Sequence, residues 1–357
     1  MPATRSNLLA ADLLLGLALT SSPTAKAEES STVTPAVSPL PVEVSPHKVS
    51  TIHVVLSLAW EGRDLTPYNL RALQTFRAQF QNIEMMHLVS PAYFTKPAAV
   101  QAAVRASIRR VMRPGDQVGL LLGNWQSLAN AAGVIFRSSP TFWGSELKAA
   151  DCKADCGLEV PINVYPEAEL DKLLKTSLQI LEQQGFGRVR AIAVEGWVAS
   201  PAVLEAAYRA GIRYDWSAVA PEMISPKTHA YPIYNWAKTL WSKVTPHSQP
   251  YQIPLSLGSM QEMPQSLAAV DYLNRSDVVA IFKEYVERVR HAPETTLVFP
   301  LLAHQESAHI TLPLLTSVLQ EVFAYAQQTE VTIAPLPLPD LQLPEDHGGQ
   351  AEAQVAH

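Results

Sequence analysis

The chain has 357 residues, of which 47% are hydrophobic and 17% are charged, and its formal net charge is −6. This length allows one large domain or two ordinary ones, and the low charged fraction excludes a mainly disordered chain. The acidic balance and the lack of a basic block exclude the charge pattern of a nucleic-acid-binding protein.

Residues 1–27 have the layout of a signal peptide, with Arg5, an apolar run and Ala-Lys-Ala at the end. The run is too short to span a bilayer, and no other stretch is long enough, so we expect no membrane span in the mature chain. The sequence therefore predicts an exported protein, periplasmic or extracellular. Residues 28–50 are rich in Ser, Thr, Pro and Val and predict a disordered tether, and residues 338–357 predict a disordered tail.

The two cysteines, Cys152 and Cys156, lie four residues apart. In an exported protein this pair predicts a local disulfide, because a metal site would need further thiol or imidazole ligands nearby. Both cysteines belong to a long connection, 137–165, which is either a lid over a cleft or an ordinary surface loop.

Residues 51–337 predict one domain in which strands and helices alternate. This alternation favours parallel strands, in a doubly wound sheet or a barrel. The strands are expected at 51–59, 83–89, 116–123, 189–196, 295–303 and 330–335, and the helices at 66–80, 97–112, 166–185, 201–211, 276–290 and 310–328. The segment 236–258, with its prolines, reads as a loop covering one end of the domain.

Both architectures bind ligands at the carboxyl ends of their strands. Polar and aromatic residues stand at four of these ends, and Trp143 stands in the long connection. Indole faces stack on sugar rings and carboxylates bond hydroxyls, which indicates a glycan site; the alternative is that the tryptophans cap a core and the glutamates are solvated. The candidates are Trp60, Glu61, Asn124, Trp125, Trp143, Glu195, Trp197 and His304.

Five stretches together resemble the polysaccharide deacetylase family, carbohydrate esterase family 4. They are LSLAWEG (56–62), MMHLVSPAYF (85–94), VGLLLGNW (118–125), AIAVEGWVASP with GIRYD (191–201 and 211–215), and LLAHQESA (301–308). The resemblance implies an α/β fold, a distorted (β/α) barrel of about seven parallel strands. It also implies an activity that removes acetyl groups from polysaccharides or cell-wall glycans.

The resemblance further implies a zinc site built from a carboxylate and two histidines, together with an Asp base, an Arg and a late His. The two metal histidines fall at Leu121 and Gly123, which cannot bind zinc, and the Arg position near Ala193 is substituted. His304 matches the late His, and Glu61 is the carboxylate nearest the position of the base. We therefore expect no metal and no cofactor at this site.

Three functions stay open, and whether the protein is an enzyme is left undecided. The first is a catalytically degenerate relative of the deacetylases that binds a glycan. The second is an active carbohydrate hydrolase, either a deacetylase or a metal-free glycosidase that uses Glu61 and Glu195, whose carboxyl groups would then stand about 5–5.5 Å or about 6.5–9.5 Å apart. The third is a structural or protein-interaction role. Against the glycosidase, Glu195 could simply form an ion pair with Arg63 or Arg137.

Overall fold

A computed structural model describes residues 50–96, 100–148, 152, 155–292 and 295–336. The chain divides into two units, Met1–His47 and Lys48–His357, and only the second contains described residues. The predicted signal peptide, all of the tether except Ser50, and the predicted tail lie outside the described residues. No helix in the described ranges is both long and apolar enough to cross a membrane.

Strands and helices alternate through most of the described domain, as the sequence predicts. The strands are β1 Thr51–Trp60, β2 Met85–Val89, β3 Gln117–Leu122, β4 Ala191–Val194, β5 Tyr214–Asp215, β6 Tyr251–Leu255, β7 Gly258–Glu262, β8 Thr296–His304 and β9 Thr332–Ala334. The helices are α1 Pro67–Gln79, α2 Ala92–Thr95, α3 Gln101–Val111, α4 Gln126–Ala131, α5 Glu167–Gln183, α6 Pro201–Arg209, α7 Pro232–Leu240, α8 Arg275–His291 and α9 Ala308–Gln328.

Helix α5 illustrates how local sequence sets an element. Its buried residues recur at spacings of three and four, which puts them on the one face that packs on the sheet; they are Leu170, Leu173, Leu174, Ser177 and Leu181. Glu167 and Glu169 stand in the first turn, where the helix dipole favours negative charge. Gly185, with φ 76°, adopts the left-handed conformation that ends the helix.

The strands form one sheet in the order β6-β7-β5-β4-β3-β2-β1-β8, and β9 pairs with the start of β1. Every pairing along this path is parallel except that of β6 with β7. The path therefore contains seven parallel strands, which confirms the predicted fold class.

The free edge of β8 is covered by two segments, one just before β6 and one after β7. The amide of Gln249 donates to the carbonyl of Val298 over 3.2 Å and accepts from its N–H over 2.7 Å, so a side chain replaces a neighbouring strand. Ala269 forms a parallel bridge with Leu302. These contacts satisfy part of an edge that would otherwise be unpaired. The sheet as a whole is curled into a half-barrel with flanking helices.

The two faces of the sheet bury different sets of residues, because side chains alternate along a strand. The outer face packs against the helices and includes Leu58 and Trp60 of β1. The inner face forms a smaller apolar cluster whose members include Val55, Ala59, Leu121, Ala193 and Leu302.

The prediction of a loop at 236–258 is wrong at both ends of the segment and agrees with the structure at 241–250. Trp236 lies within α7, and Tyr251–Leu255 forms β6. Of the prolines in this segment, Pro246 and Pro250 lie outside the helix and the strand, and Pro254 is compatible with an edge strand. Pro254 lies in β6, which is the edge strand, so one of its sides needs no ladder hydrogen bond.

Candidate functional site

A cleft of about 210 Å³ opens at the carboxyl ends of the parallel strands. Its floor is apolar and its rim is polar and aromatic. The lining residues are Ala59, Glu61, Arg63, Leu88, Leu121, Phe142, Trp143, Leu158, Glu159, Ala193, Val194, Glu195, Gly196, Trp197, Ile233, Gln265, Tyr272, Leu302 and His304.

The alternation of the strands explains why these side chains meet. Four inner-face residues of the apolar cluster, Ala59, Leu121, Ala193 and Leu302, form the floor. Two residues beyond each of these floor residues, on the same face of the sheet, the chain carries Glu61, Gly123, Glu195 and His304. The strand ends therefore place two carboxyl groups and one imidazole above an apolar floor, and the fourth end carries Gly123, which has no side chain.

Glu61 directly follows β1 and has a cation on each of two sides. Its Oε2 lies 3.2 Å from Arg63 Nε, and its Oε1 lies 3.9 Å from His304 Nε2. Gly62 follows with φ 95°, and a Cβ at that position would lie 2.9 Å from Ser90 Oγ. A glycine is therefore required to turn the chain away from the strand while Glu61 faces the cleft.

The end of β4 is a tight turn that presents Glu195 and Trp197. Gly196 and Trp197 both adopt left-handed conformations, with φ 67° and 59°. A Cβ on Gly196 would lie 2.4 Å from the ring of Phe142, so only glycine fits. The carbonyl of Trp197 accepts a hydrogen bond of 2.7 Å from Trp241 Nε1, which fixes this uncommon backbone for a bulky residue.

Glu195 is the least satisfied polar group of the cleft. Its Oε1 is buried and has no hydrogen-bond partner among the described residues. Burial raises the pKa of Glu195 well above its ordinary value, and the nearby charge of Glu61 raises it further. The expected ion pair of Glu195 with Arg63 or Arg137 is wrong, because Arg63 bonds Glu61 and Glu159, and Arg137 bonds Glu169.

His304 ends β8 and is oriented by an aspartate that the sequence did not indicate. Its Nδ1 lies 2.7 Å from Asp271 Oδ2, and Ser307 donates a hydrogen bond to the other oxygen of Asp271. Burial disfavours a charged imidazole, but the hydrogen bond with Asp271 and the charges of Glu61, Asp271 and Glu195 together raise the pKa of His304 to about 9. His304 is therefore an imidazolium at neutral pH.

A third carboxyl group lies behind Glu61. Glu306 accepts a 2.5 Å hydrogen bond from the hydroxyl of Tyr93, and its Oε2 is buried without a partner among the described residues. Burial, followed by the charge of Glu61, raises the pKa of Glu306 to about 7. Its backbone carbonyl accepts from Asn69 Nδ2 over 2.8 Å, which anchors the turn after β8 to α1.

Two pairs of aromatic rings flank the cleft. Trp143 packs edge-on against Tyr231 with ring centroids 5.4 Å apart, and Trp197 packs edge-on against Tyr272 at 6.2 Å. Trp143 is 44% exposed and Tyr272 is 46% exposed, so both offer ring surface to a ligand. Tyr272 was not predicted, because no strand end precedes it in the sequence.

Three of the predicted binding residues lie away from the cleft. Trp60 is fully buried on the helix-facing side, where its Nε1 donates to His87 Nδ1 over 3.2 Å. Asn124 is buried and joins Tyr165 to the carbonyl of Arg137. Trp125 is also buried, and its Nε1 donates to the carbonyl of Glu61 over 2.9 Å. These residues support the strand ends and do not line the cleft.

The residues present do not fit the zinc site that the family resemblance implies. Leu121 lines the cleft with an aliphatic side chain. At Gly123 a Cβ would lie 2.9 Å from Cγ of Glu195 and 3.1 Å from Cδ1 of Leu158, so Glu195 takes the space that a larger side chain would need. Within the described ranges, no group of three or more His, Cys, Asp and Glu residues is placed to hold a metal ion.

The long connection 137–165 contributes one wall of the cleft through Phe142, Trp143, Leu158 and Glu159. Cys152 and Cys156 form the predicted disulfide within it. The wall is tied to the strand ends, because Glu159 bonds Arg63, and a Cβ on Gly157 would lie 2.1 Å from the carbonyl oxygen of Asn124. Such close backbone approach is possible only for glycine.

No protein-family model matches the chain, and no curated protein matches it. Among solved structures, a Mycobacterium smegmatis protein assigned to the polysaccharide deacetylases has 12% identity and a TM-score of 0.46, with 84% of this chain and 98% of that one covered. A family 4 carbohydrate esterase from Streptomyces lividans has 11% identity and a TM-score of 0.36, with 80% and 94% covered. A 4-alpha-glucanotransferase from Thermococcus litoralis has 11% identity and a TM-score of 0.44, with 83% and 41% covered. Likeness at this level concerns the arrangement of strands and helices and compares no individual site residues.

Proposed function

We propose that this protein binds a glycan in the cleft at the carboxyl ends of its strands and that it has lost the zinc-dependent deacetylation implied by its sequence resemblance. The observation that carries the proposal is the combination of aromatic walls with a ring of carboxyl, imidazole and amide groups. Apolar ring faces pack on the C–H faces of a sugar, and polar side chains bond its hydroxyls. A cleft of about 210 Å³ has room for one sugar residue, with others at the rim.

The proposal that zinc chemistry is lost rests on Leu121 and Gly123. An aliphatic side chain and a missing side chain cannot coordinate a metal, and Glu195 leaves no room for a larger residue at Gly123. We expect calorimetric titration of zinc into metal-stripped residues 28–357 to give no stoichiometric, tight site. A tight site of one zinc per chain would contradict this part of the proposal.

We also propose that the protein is exported. The signal-peptide layout of residues 1–27 and the disulfide between Cys152 and Cys156 support the same oxidising compartment. Fractionation of cells that express the full chain should recover it outside the cytoplasm, with its N-terminus cleaved after Ala27.

Glycan binding in the cleft is tested by removing an exposed aromatic ring from its wall. Trp143→Ala removes a ring that lines the cleft, and we expect the affinity for a bound oligosaccharide to fall about tenfold, the usual size of an aromatic contact at a binding site. Tyr68→Ala is the matched control, because Tyr68 is 71% exposed on α1 and does not line the cleft. Equal affinity in both variants would contradict a site at this cleft.

A second candidate function is metal-independent glycoside hydrolysis, and one observation favours it. Burial raises the pKa of Glu195 well above its ordinary value, which favours its protonated form, and Glu61 beside it is ion-paired with Arg63. Glycoside cleavage requires two carboxyl groups, one that donates a proton and one that is ionised. Glu195 would donate its proton to the glycosidic oxygen as the bond breaks, and Glu61 would activate the attacking water or bond the anomeric carbon.

The two candidates are separated by Glu195→Gln and Glu61→Gln variants. Hydrolysis predicts release of reducing ends by the native protein and its loss in both variants, with binding retained. Binding without release of reducing ends in the native protein would exclude the hydrolase and leave the glycan-binding function.

A further inference from the structure

Both cations that line the cleft are already bonded to carboxylates. Arg63 contacts Glu61 through Nε at 3.2 Å and Glu159 through NH2 at 3.1 Å. His304 bonds Asp271 through Nδ1 and faces Glu61 through Nε2. No other Lys, Arg or His is among the described residues that line the cleft. Among these residues, an incoming anion therefore meets no unpaired positive charge.

The charge that remains in the cleft is negative. Among the lining residues, Glu61 and Glu159 balance Arg63 and His304, and Asp271, which bonds His304 from outside the lining, adds one further carboxylate. A carboxylate on a ligand would add to this excess in a partly buried site, where like charges repel more strongly than in water. A neutral hydroxyl can instead bond the free oxygens of Glu195 or Glu159.

We propose that the cleft selects uncharged sugar residues and rejects those that carry a carboxylate, and that Glu159 sets this selectivity by masking Arg63. The inference rests on the proposed glycan-binding function and names the class of sugar that the site takes. The side chain of Arg63 is about half exposed and lines the cleft. If Glu159 did not bond it, the guanidinium would be available to form two parallel hydrogen bonds with a carboxylate of the ligand.

The position of Glu159 is set by the backbone around it. Its carbonyl accepts a 2.7 Å hydrogen bond from the N–H of Phe142, the residue that packs over Gly196. The long connection therefore places the carboxylate of Glu159 beside Arg63, although the two residues are 96 positions apart in the sequence. Through this contact the connection contributes to ligand specificity as well as forming one wall of the cleft.

The test compares matched ligands on the full mature chain. Neutral oligosaccharides and the same oligosaccharides oxidised to carboxylates at C6 are printed in pairs on one array, and affinities for the pairs that bind are measured by calorimetry. We expect the neutral member to bind about tenfold more tightly in each pair, a difference that one unfavourable charge contact provides. Equal or tighter binding of the carboxylates would overturn the inference while the proposed function stands, whereas no binding to any glycan would overturn both.

Glu159→Gln then tests the assigned residue. The amide keeps the size of the side chain and can still accept a hydrogen bond from Arg63, but the charge is gone. We expect the preference for neutral ligands to narrow to about threefold or less, chiefly through tighter binding of the carboxylates. Glu169→Gln is the matched control, because Glu169 forms a similar half-exposed pair with Arg137 outside the cleft. An unchanged preference in Glu159→Gln, or the same change in Glu169→Gln, would contradict the role of Glu159.

Discussion

The two faces of the sheet both bury ionisable groups, and they do so in different ways. On the helix-facing side, Asp116 accepts from Arg77, His87 and two backbone N–H groups, so its oxygens are fully used. On the cleft side, Glu195 keeps an oxygen with no partner among the described residues. The first arrangement stabilises the fold, and the second leaves bonding capacity for a ligand.

A second pair of buried carboxyl groups lies on the helix-facing side of the sheet. Asp215 and Glu262 face the helices at paired positions of β5 and β7, and each has one buried oxygen with no partner among the described residues. Burial raises the pKa of Asp215 to about 6 and that of Glu262 well above its ordinary value. A raised pKa therefore occurs on both faces, so it does not by itself identify a site. Access from an open cleft distinguishes Glu195.

The largest effect is expected from breaking the helix-facing network. Asp116→Ala leaves the Arg77 guanidinium buried without its partner, because both side chains are fully buried. We expect the free energy of unfolding to fall by about 3–5 kcal/mol, measured by urea denaturation. Glu61→Ala, on the partly exposed rim, should cost less than about 1 kcal/mol. Similar losses in the two variants would contradict the contrast between the faces.

The buried pair on the helix-facing side predicts a pH dependence of stability. Asp215 and Glu262 hold protons more tightly in the folded state than in the unfolded chain, because the pKa of each is raised. The stabilisation from Asp215 is complete below about pH 4 and is lost as the pH rises through about 6. Each retained proton lowers the free energy of unfolding by roughly 1.4 kcal/mol per pH unit in this window. Glu262→Gln, whose amide needs no proton, should flatten the dependence in denaturation curves recorded from pH 4 to 7. A dependence as steep as that of the native protein would exclude proton sharing by the pair.

Two histidines allow a direct comparison of the faces. The pKa of His304, raised to about 9, means that its stabilising charge is complete below pH 6.5 and is lost as the pH rises through 9. Asp271→Asn removes its hydrogen-bonded carboxylate, and NMR titration of the imidazole should show the pKa of His304 lowered by about one unit. His87 is the internal control, because burial lowers its pKa and Trp60 donates to its Nδ1, which keeps the ring neutral. A shift at His87 would indicate a general structural change.

The smallest effect is expected at Gly123, whose side-chain space is taken by Glu195 and Leu158. Gly123→Ala places a Cβ 2.9 Å from Cγ of Glu195, and that flexible side chain must move. We expect a destabilisation of about 1 kcal/mol and a loss of glycan affinity. Gly133→Ala is the control for a change without steric contact, because a Cβ there meets no atom within 4 Å. Its φ of 63° means that any destabilisation comes from backbone strain. Unchanged affinity in Gly123→Ala would mean that the position of Glu195 does not matter for binding.

Much of the fold was predictable, because strands and helices carry local periodicities. The predicted strands at 51–59 and 295–303 agree with β1 and β8 to within a residue, and the helix at 166–185 agrees with α5 to within two. Strand β5 was missed because it has two residues and no pattern of its own. Trp60 was assigned to the cleft because its neighbour Glu61 is there. Successive side chains along a strand point to opposite faces of the sheet, so Trp60 faces the helices.

The sequence by itself determined that Glu61, Glu195 and His304 stand at strand ends and that Cys152 and Cys156 lie within bonding range, since both follow from short-range spacing. Only the tertiary structure decided that Asp271 orients His304, that Glu159 masks Arg63 and that Tyr93 bonds Glu306. These partners are separated by 33, 96 and 213 residues. The physical reason is that curling of the sheet brings distant connections over one set of strand ends, and no local pattern encodes which of them meet.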